Sequence, residues 1–303
     1  MDRIQAMQVF HRIVETNSLS RAAETLGMPA SSVTTILKGL ETQLGVQLLQ
    51  RTTRRLSLTP DGAAYLAHTR RILDDIAAME ASFPGAGGTP SGHLKVELVM
   101  SIGRQLIIPR LDEFCAQYPE VRLTLHLGDR TVDLVEEGLS CAIRTGELAD
   151  SSTLVGRRLG EFRWMTCASP GYLAKHGEPQ DIEALQAHEC IGYALSRNGR
   201  VLEWEFDLNG ERTRFTPGAR LAVNDADSYA ECGVAGLGIV RAGSYLLGPM
   251  VRDGRLRPVL EQYTAPPVPI SMVYARNRHL SPAVRAFHAW AAELLRDMPG
   301  LDT

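Results

Sequence analysis

The first sixty residues combine short polar side chains and basic side chains at a spacing suited to contact with nucleic acid. Serine and threonine read base edges through a hydroxyl or methyl group, whereas arginine and lysine contact phosphates. Such short side chains discriminate modestly between bases. The side chains that we predict to contact duplex DNA are Ser20, Arg21, Ala30, Ser31, Ser32, Thr34, Thr35, Lys38, Arg51, Thr53 and Arg54.

Two helical patterns joined by a turn carry most of these residues. Gly27 follows the last apolar residue of the first pattern, where a left-handed cap favours glycine. This layout predicts a helix-turn-helix, whose second helix enters the DNA major groove. The apolar residues at helical spacing are Ala22, Ala23 and Leu26 in the first pattern, and Val33, Ile36, Leu37 and Leu40 in the second.

A β-hairpin, or wing, is predicted directly after the second helix. Two short apolar runs, residues 44–49 and 56–58, flank a tip rich in threonine and arginine. Thr59 and Pro60 then have the residue types of a helix N-cap and of a first helical position. A long helix is therefore expected to begin at Pro60.

Taken together, these motifs resemble those of the LysR-type transcriptional regulators. Pro29 departs from the family pattern, which commonly has a Ser or Thr cap there, and Thr35 and Gly39 stand where larger polar residues are frequent. The resemblance is specific over the first sixty residues and continues less sharply to the C-terminus. The matching residues are Ser18 to Gly27, Val33, Leu40-Glu41, Leu44 to Val46, Leu48-Leu49, Arg51 to Arg54, and Leu58 to Gly62.

The charge is distributed unevenly along the 303 residues. The formal net charge is −3, but residues 1–60 contain seven Lys or Arg and four acids. A mildly basic N-terminal segment on an acidic remainder is typical of a DNA-binding module joined to another domain. A chance fluctuation of charge is the alternative interpretation of this difference.

Sequence patterns of export, metal binding and catalysis were not found. No signal peptide or run of 18 apolar residues occurs, which predicts a cytoplasmic protein without membrane contact. The five cysteines include no Cys-x-x-Cys pair, and the eight histidines show no ligand spacing, so no metal site is predicted. No cofactor and no enzymatic activity are predicted either, because hydrolase, metalloprotease and P-loop motifs are lacking. The glycine-rich segment 233–238 reads as a helix-to-strand turn rather than a dinucleotide site.

The segment after the wing predicts a linker helix over residues 59–83 and a hinge over residues 84–92. Leu66, Leu73 and Ile76 belong to an imperfect coiled-coil seam, which needs a partner surface. The resemblance implies that this helix pairs with the same helix of a second subunit, giving a homodimer or homotetramer. Packing against its own domain is the alternative.

Residues 93–303 predict a two-lobed α/β domain. Strands at 93–100, 122–127 and 141–145 alternate with helices at 104–118 and 132–138, which favours a mostly parallel sheet. A second such region is expected at about 163–266, and the chain returns to the first lobe with a strand at 270–274 and a helix at 281–298. The predicted fold class is therefore multidomain: a winged helix-turn-helix (1–58), a linker helix, and a two-lobed α/β domain. The resemblance implies that this last domain is an effector-binding domain similar to periplasmic binding proteins. Lobe I covers about 93–162 and 267–303, and lobe II the residues between them.

A cleft between two such lobes suits a small ligand. Ser101 is predicted to cap a helix whose free N–H groups favour an anion. Arg241 is predicted to bind a carboxylate. The alternatives are that Ser101 only caps its helix and that Arg241 only pairs with an acid such as Asp227. With the positions implied by the resemblance, the predicted effector contacts are Ser101, Ile102, Gly103, Arg104, Arg130, Thr145, Gly146, Asn224, Asp225 and Arg241.

These expectations describe a transcriptional regulator that binds duplex DNA and responds to a small, anionic effector, with RNA polymerase as a candidate further partner. The alternative is an enzyme or solute-binding module on a periplasmic-binding-like fold. A solute-binding module alone leaves residues 1–60 unexplained.

Overall fold

The structure is a computed structural model. It describes residues 2–52, 55–80, 89–129, 133–134, 136–148, 151–195, 199–208, 210–276, 280–296 and 301–302. The chain divides into two compact units, residues 1–88 with 279–281, and residues 89–278 with 282–303. Among the described residues, no helix has both the length and the apolar character required to cross a bilayer.

The first unit consists of four helices and a hairpin in its described part. They are α1 (Arg3–Thr16), α2 (Leu19–Leu26), α3 (Ala30–Leu44), β1 (Leu49–Thr52), β2 (Arg55–Leu58) and α4 (Pro60–Glu80). Strands β1 and β2 pair antiparallel, which confirms the predicted wing. Helix α4 begins at Pro60 as predicted, and residues 81–88, where its end and the hinge were expected, lie outside the described residues.

Local signals at the helix ends explain why these elements form. The Ser18 hydroxyl accepts a hydrogen bond from Arg21 N at 3.3 Å, which caps α2. Gly27 ends α2 with φ 61°, a left-handed conformation in which glycine has no Cβ to clash. The helices enclose one apolar core, formed by Ala6, Val9, Phe10, Ile13, Ala22, Ala23, Val33, Leu37, Leu40, Leu48 and Leu49.

Lobe I of the second unit is built on a six-stranded sheet with strand order β15-β6-β14-β5-β3-β4. Strand β3 pairs parallel with β4 and β5, whereas β14 and β6 pair antiparallel with their neighbours. The prediction of a mostly parallel sheet is therefore wrong for the half of the sheet formed by β14, β6 and β15. Its elements are β3 (Gly92–Leu98), α5 (Met100–Ile102), α6 (Leu111–Gln117), β4 (Val121–Leu127), β5 (Cys141–Thr145), β6 (Leu154–Phe162), β14 (Val268–Ala275), α10 (Pro282–Arg296) and β15 (Leu301–Asp302).

The helix predicted over residues 104–118 is interrupted. A π-helical turn at Gly103–Ile107 and a 3-10 turn at Ile108–Arg110 separate α5 from α6. Pro109 lies in this segment, and proline cannot supply the N–H of a continuous α-helix. The predicted helix over 132–138 is wrong for the described residues of that segment, of which 134 and 136–138 form turns.

Lobe II differs from the second parallel unit that was predicted. Its central sheet, β12-β7-β13, is antiparallel, and β9 and β10 form a separate hairpin. Only the short pair β8 and β11 is parallel among the described strands of this lobe. Its elements are β7 (Trp164–Ala168), α7 (Pro170–His176), β8 (Gly192–Tyr193), β9 (Trp204–Leu208), β10 (Glu211–Phe215), β11 (Ala222–Val223), α8 (Ala226–Val234), β12 (Val240–Gly243), α9 (Ser244–Arg252) and β13 (Arg257–Pro258).

Candidate nucleic-acid interface and ligand cleft

Helix α3 buries one side and exposes the side predicted to contact DNA. Val33, Leu37 and Leu40 point into the core of the first unit. The predicted base-reading and phosphate-contacting residues lie elsewhere on α2 and α3. Ser20, Arg21, Ala30, Ser31, Thr35 and Lys38 are exposed, and Ser32 and Thr34 are half-buried.

Two threonines of α3 use their hydroxyl protons within the helix. Thr34 Oγ1 donates to Ala30 O at 3.0 Å, and Thr35 Oγ1 donates to Ser31 O at 2.9 Å. A hydroxyl bonded in this way keeps only its lone pairs and the neighbouring methyl group for an outside partner. These side chains can therefore offer a methyl or an acceptor, but no donor, to a base edge.

The wing is anchored to α3 by a carboxylate. Glu41 Oε1 accepts hydrogen bonds from Leu48 N at 2.9 Å and from Leu49 N at 3.3 Å. Thr59 Oγ1 accepts from Gly62 N at 2.9 Å and donates to Gln47 O at 2.6 Å, which joins the base of the wing to α4. The backbone of Arg51 lies in β1, whereas Thr53 and Arg54 lie outside the described residues.

The first part of α4 packs on its own unit. His11 Nε2 lies 2.9 Å from Thr69 Oγ1, and Thr69 is buried. Burial, followed by the charge of Arg70, lowers the pKa of His11. Leu73 and Ile76 of the predicted seam are half-buried, and Ile72 on its flank is 40% exposed.

A buried hydrogen bond joins the two lobes of the second unit. Ser101 Oγ lies 2.7 Å from the Tyr245 hydroxyl, and both side chains are buried. Burial raises the pKa of Tyr245 to about 12, so its hydroxyl is protonated at neutral pH. The prediction that Ser101 caps a helix is wrong: α5 begins one residue earlier, and the Asp129 carboxylate accepts from Met100 N at 3.2 Å instead.

Charged and amide side chains form the second connection between the lobes. Arg104 Nη1 lies 3.2 Å from Asp227 Oδ2 and 3.9 Å from Asp225 Oδ2. Gln105 Nε2 donates to Asp227 Oδ1 at 2.7 Å. The Arg104 side chain is half exposed, so this connection is open to solvent.

Tyrosine and aspartate make the third connection. The Tyr193 hydroxyl donates weakly, at 3.4 Å each, to Asp129 Oδ2 in lobe I and to Asn224 O in lobe II. Sequence reasoning missed Asp129, Tyr193 and Tyr245 and considered Asp227 only as a partner of Arg241, because a tyrosine or aspartate at a strand or helix end carries no distinctive local signal.

Among the described residues, the remaining ones predicted to contact the effector do not gather at one place in the structure. Ile102 and Gly103 are buried beside Ser101, and Thr145 ends β5, followed by Gly146 with φ 93°. Arg130 lies outside the described residues. Arg241 contacts Thr166, Glu205 and Phe206 of lobe II rather than Ser101 or Thr145, and Asp227, its proposed alternative partner, pairs with Arg104.

Candidate metal ligands do not gather in the described part of the chain, which contains no group of three or more His, Cys, Asp or Glu side chains suited to hold an ion. Cys141, Cys167 and Cys190 are buried, and burial raises the pKa of each thiol to about 12. These thiols are therefore protonated, apolar core residues.

Two family profiles together match nearly the whole chain. The bacterial regulatory helix-turn-helix protein, lysR family, matches residues 4–63, and the LysR substrate binding domain matches residues 87–296. The HTH-type transcriptional regulator YhjC of Escherichia coli is 37% identical over 98% of this chain and 99% of its own length. An HTH-type transcriptional repressor of Pseudomonas aeruginosa is 37% identical over 99% of this chain and 94% of its own length.

Solved structures give the same match. The structure of CrgA, a LysR-type transcriptional regulator from Neisseria meningitidis, aligns with a TM-score of 0.63 and 35% sequence identity. The alignment covers 95% of this chain and 97% of that chain.

Proposed function

Because the chain belongs to the LysR family of transcriptional regulators, with a DNA-binding helix-turn-helix and an effector-binding domain, we propose that it binds a specific duplex sequence and is controlled by a small anionic effector between lobes I and II. Members of the family are transcriptional regulators rather than enzymes. A role on DNA places the protein in the cytoplasm.

The observation that supports DNA binding is the exposed face of α3 beside a wing held by Glu41. Thr34, Thr35 and Lys38 lie on this face, and Arg21 lies on the preceding helix. The apolar residues on the other side of both helices pack into the core of the unit. The threonines contact base edges through methyl groups and oxygen acceptors. Lys38 contacts the phosphates, and the sequence-predicted arginines Arg51 and Arg54 contact the phosphates or the minor groove. The interface is completed by Ser20, Ala30, Ser31, Ser32 and Thr53.

A salt titration on a duplex selected from a random-sequence library tests the phosphate contacts. Loss of one phosphate contact in Arg54→Ala reduces the salt slope by about one and weakens all sequences alike. An unchanged affinity and slope would show that the wing does not contact the backbone.

Substitutions at Thr35 test how the bases are read. Thr35→Val keeps the methyl group and loses a hydroxyl that already bonds within the helix, so we expect affinity within a factor of about three of the parent. Thr35→Ser loses the methyl group and should weaken binding by about tenfold. If Thr35→Val binds as poorly as Thr35→Ser, the hydroxyl is a base-contacting group after all.

The observation that supports effector control is the small number of exchangeable polar contacts between the lobes. Arg104 is held by two carboxylates at a solvent-open position, where a ligand carboxylate can take their place. Ser101, Thr145 and Asn224 provide further polar groups in our proposed site, with Ile102, Gly103, Arg130, Gly146 and Asp225 around them. A ligand that exchanges these contacts changes how the lobes are coupled, because it binds one arrangement better than the other.

Thermal-shift screening of carboxylate metabolites against the full chain tests this site. A bound ligand raises the melting temperature by mass action. We expect at least one of the ligands that the parent binds to give a smaller shift with Ser101→Ala and with Arg104→Ala. If every carboxylate that shifts the parent shifts both variants equally, the proposed anion contact is wrong.

Assembly is the third part of the proposal. The half-buried Leu73 and Ile76 on α4 form the contact between two copies of the chain, giving a homodimer or a homotetramer built from such dimers. RNA polymerase is the partner that transcriptional activation would require.

A further inference from the structure

A buried arginine in lobe II lies between two cavities. Arg241 is 6% exposed and lines both a cavity of about 480 Å³ and a neighbouring one of about 320 Å³. Trp164 lines both cavities as well. The residues around the two cavities lie between 163 and 265, all within lobe II, and none of the polar contacts between the lobes described above involves them.

The charge of Arg241 is not neutralised by the described residues. Its Nη1 donates to Thr166 Oγ1 and its Nη2 to the Glu205 carbonyl oxygen, both at 2.7 Å. Both acceptors are uncharged. Among the described residues no carboxylate lies within ion-pair distance of Arg241, and the Glu205 side chain instead pairs with Arg214 at 3.0 Å.

A buried cation without a counter-ion is energetically unfavourable. Burial lowers the pKa of Arg241 to about 10, which still leaves it charged at neutral pH. The guanidinium lies over the Phe206 ring, with its central carbon 4.1 Å from the ring centroid. Two of its five N–H groups are used by the described acceptors, so the side chain is fixed in place with donors to spare.

The larger cavity supplies walls for an aromatic body. Trp204 is 2% exposed, and Leu195, Val201 and Leu202 are half-buried. Its volume is in the range of small-molecule sites, about 300–1,000 Å³. Indole rings offer flat apolar surfaces, and an arginine fork fits a carboxylate with two parallel hydrogen bonds.

We propose that this cavity is a second ligand site, which binds a small aromatic carboxylate with its acid group on Arg241 and its ring against Trp164 and Trp204. The site goes beyond the proposed function, because none of its walls belongs to the DNA-binding face or to the polar contacts between the lobes. If the second site is wrong, the proposed DNA-binding face and the cleft site are unaffected. If those two assignments are wrong, the second site is unaffected.

Isothermal titration of the full chain with benzoate, phenylacetate and indole-3-acetate tests the site, each beside its neutral primary amide. We expect at least one of the acids to bind saturably, with one site per chain and its amide at least tenfold weaker. Quenching of tryptophan fluorescence should accompany binding, because two of the three tryptophans line the cavity. No saturable binding by any of the three acids, or equal binding of acid and amide, would overturn the proposal.

Variants separate this site from the cleft between the lobes. Arg241→Met, if folded by circular dichroism, should weaken the acid at least tenfold, and Ser101→Ala should bind it as the parent does. Trp164→Phe provides a second test should Arg241→Met fail to fold, and it should halve the fluorescence response or more. Binding lost in Ser101→Ala but kept in Trp164→Phe and Arg241→Met would move the ligand to the cleft and contradict the second site.

Discussion

Each of the two units contains internal polar contacts, and the two sets of contacts differ in how far apart in the sequence the bonded residues lie. In the DNA-binding unit, Glu41 bonds to residues seven and eight positions away, Thr59 to a residue twelve positions away, and His11 to one 58 positions away. In the ligand-binding unit, the contacts between the lobes join Ser101 to a residue 144 positions away and Gln105 to one 122 positions away.

This difference suits the two tasks. A DNA-reading surface must keep its shape, and contacts between near neighbours in the chain close short loops at low entropic cost. A ligand-responsive cleft must have contacts that can be exchanged, and few, partly solvent-exposed bonds between distant segments are of that kind. Rigidity is therefore expected in the first unit and adjustability across the second.

We expect the largest effect on stability from a substitution at the base of the wing, where the packing leaves no space for an added side chain. A Cβ at Gly62 would overlap the carbonyl of Leu48 and lie 3.1 Å from Leu58 Cδ2. We expect Gly62→Ala to lower the free energy of unfolding of the first unit by about 3 kcal/mol. Urea unfolding followed by circular dichroism measures it. Gly171→Ala in the second unit is the matched control, since nothing lies within 4 Å of its added Cβ. Equal stability of both variants would remove the claim that the wing base is rigid.

Contact between copies of the chain is the next largest effect. The double substitution Leu73→Asp and Ile76→Asp places charges in an apolar seam. We expect it to weaken dimer association by at least about 100-fold. Sedimentation velocity gives the oligomeric state. Ala64→Asp is the control, because Ala64 is exposed and nine residues from Leu73, on the opposite face of α4. A folded, intact dimer of the double variant would show that α4 pairs elsewhere.

Removal of the Tyr245 hydroxyl tests the long-range contacts. Tyr245→Phe leaves the buried Ser101 hydroxyl without this partner, and we expect a loss of about 1–2 kcal/mol from the second unit. Thermal unfolding compared with Tyr118→Phe, whose ring packs on Phe114, isolates the hydrogen bond from the ring. No difference between these two variants would mean that the contact between the lobes adds nothing to stability.

The smallest expected effect is one of pH on the first unit. The pKa of His11 is lower in the folded state, so folding favours its neutral form. Its contribution to stability is present above the unfolded pKa of about 6.5 and is lost as the pH falls through that value toward the folded pKa. Urea midpoints at pH 7.5 and 5.5 should show this loss in the parent and a smaller one in His11→Gln. Burial also lowers the pKa of His188 and His288, so the second unit keeps its own pH dependence in both proteins.

The helix-turn-helix was predictable because its signals are local. Gly27 and Thr59 act on backbone groups within a few residues, and the structure confirms the cap and the turn expected from them. The strand predicted at 141–145 is confirmed with the same bounds. The break in the helix after Gly103 had a local signal in Pro109 that the apolar periodicity of the segment obscured.

The sequence by itself determined the family, the winged helix-turn-helix and the two-lobed α/β fold, because repeated apolar spacing and short capping motifs act over one or two turns of chain. Only the tertiary structure decided which side chains meet between the lobes. It placed Ser101 against Tyr245, and Arg104 against Asp225 and Asp227. The physical reason is that an antiparallel return of the chain brings together residues more than one hundred positions apart, and no local pattern records which of them will face each other.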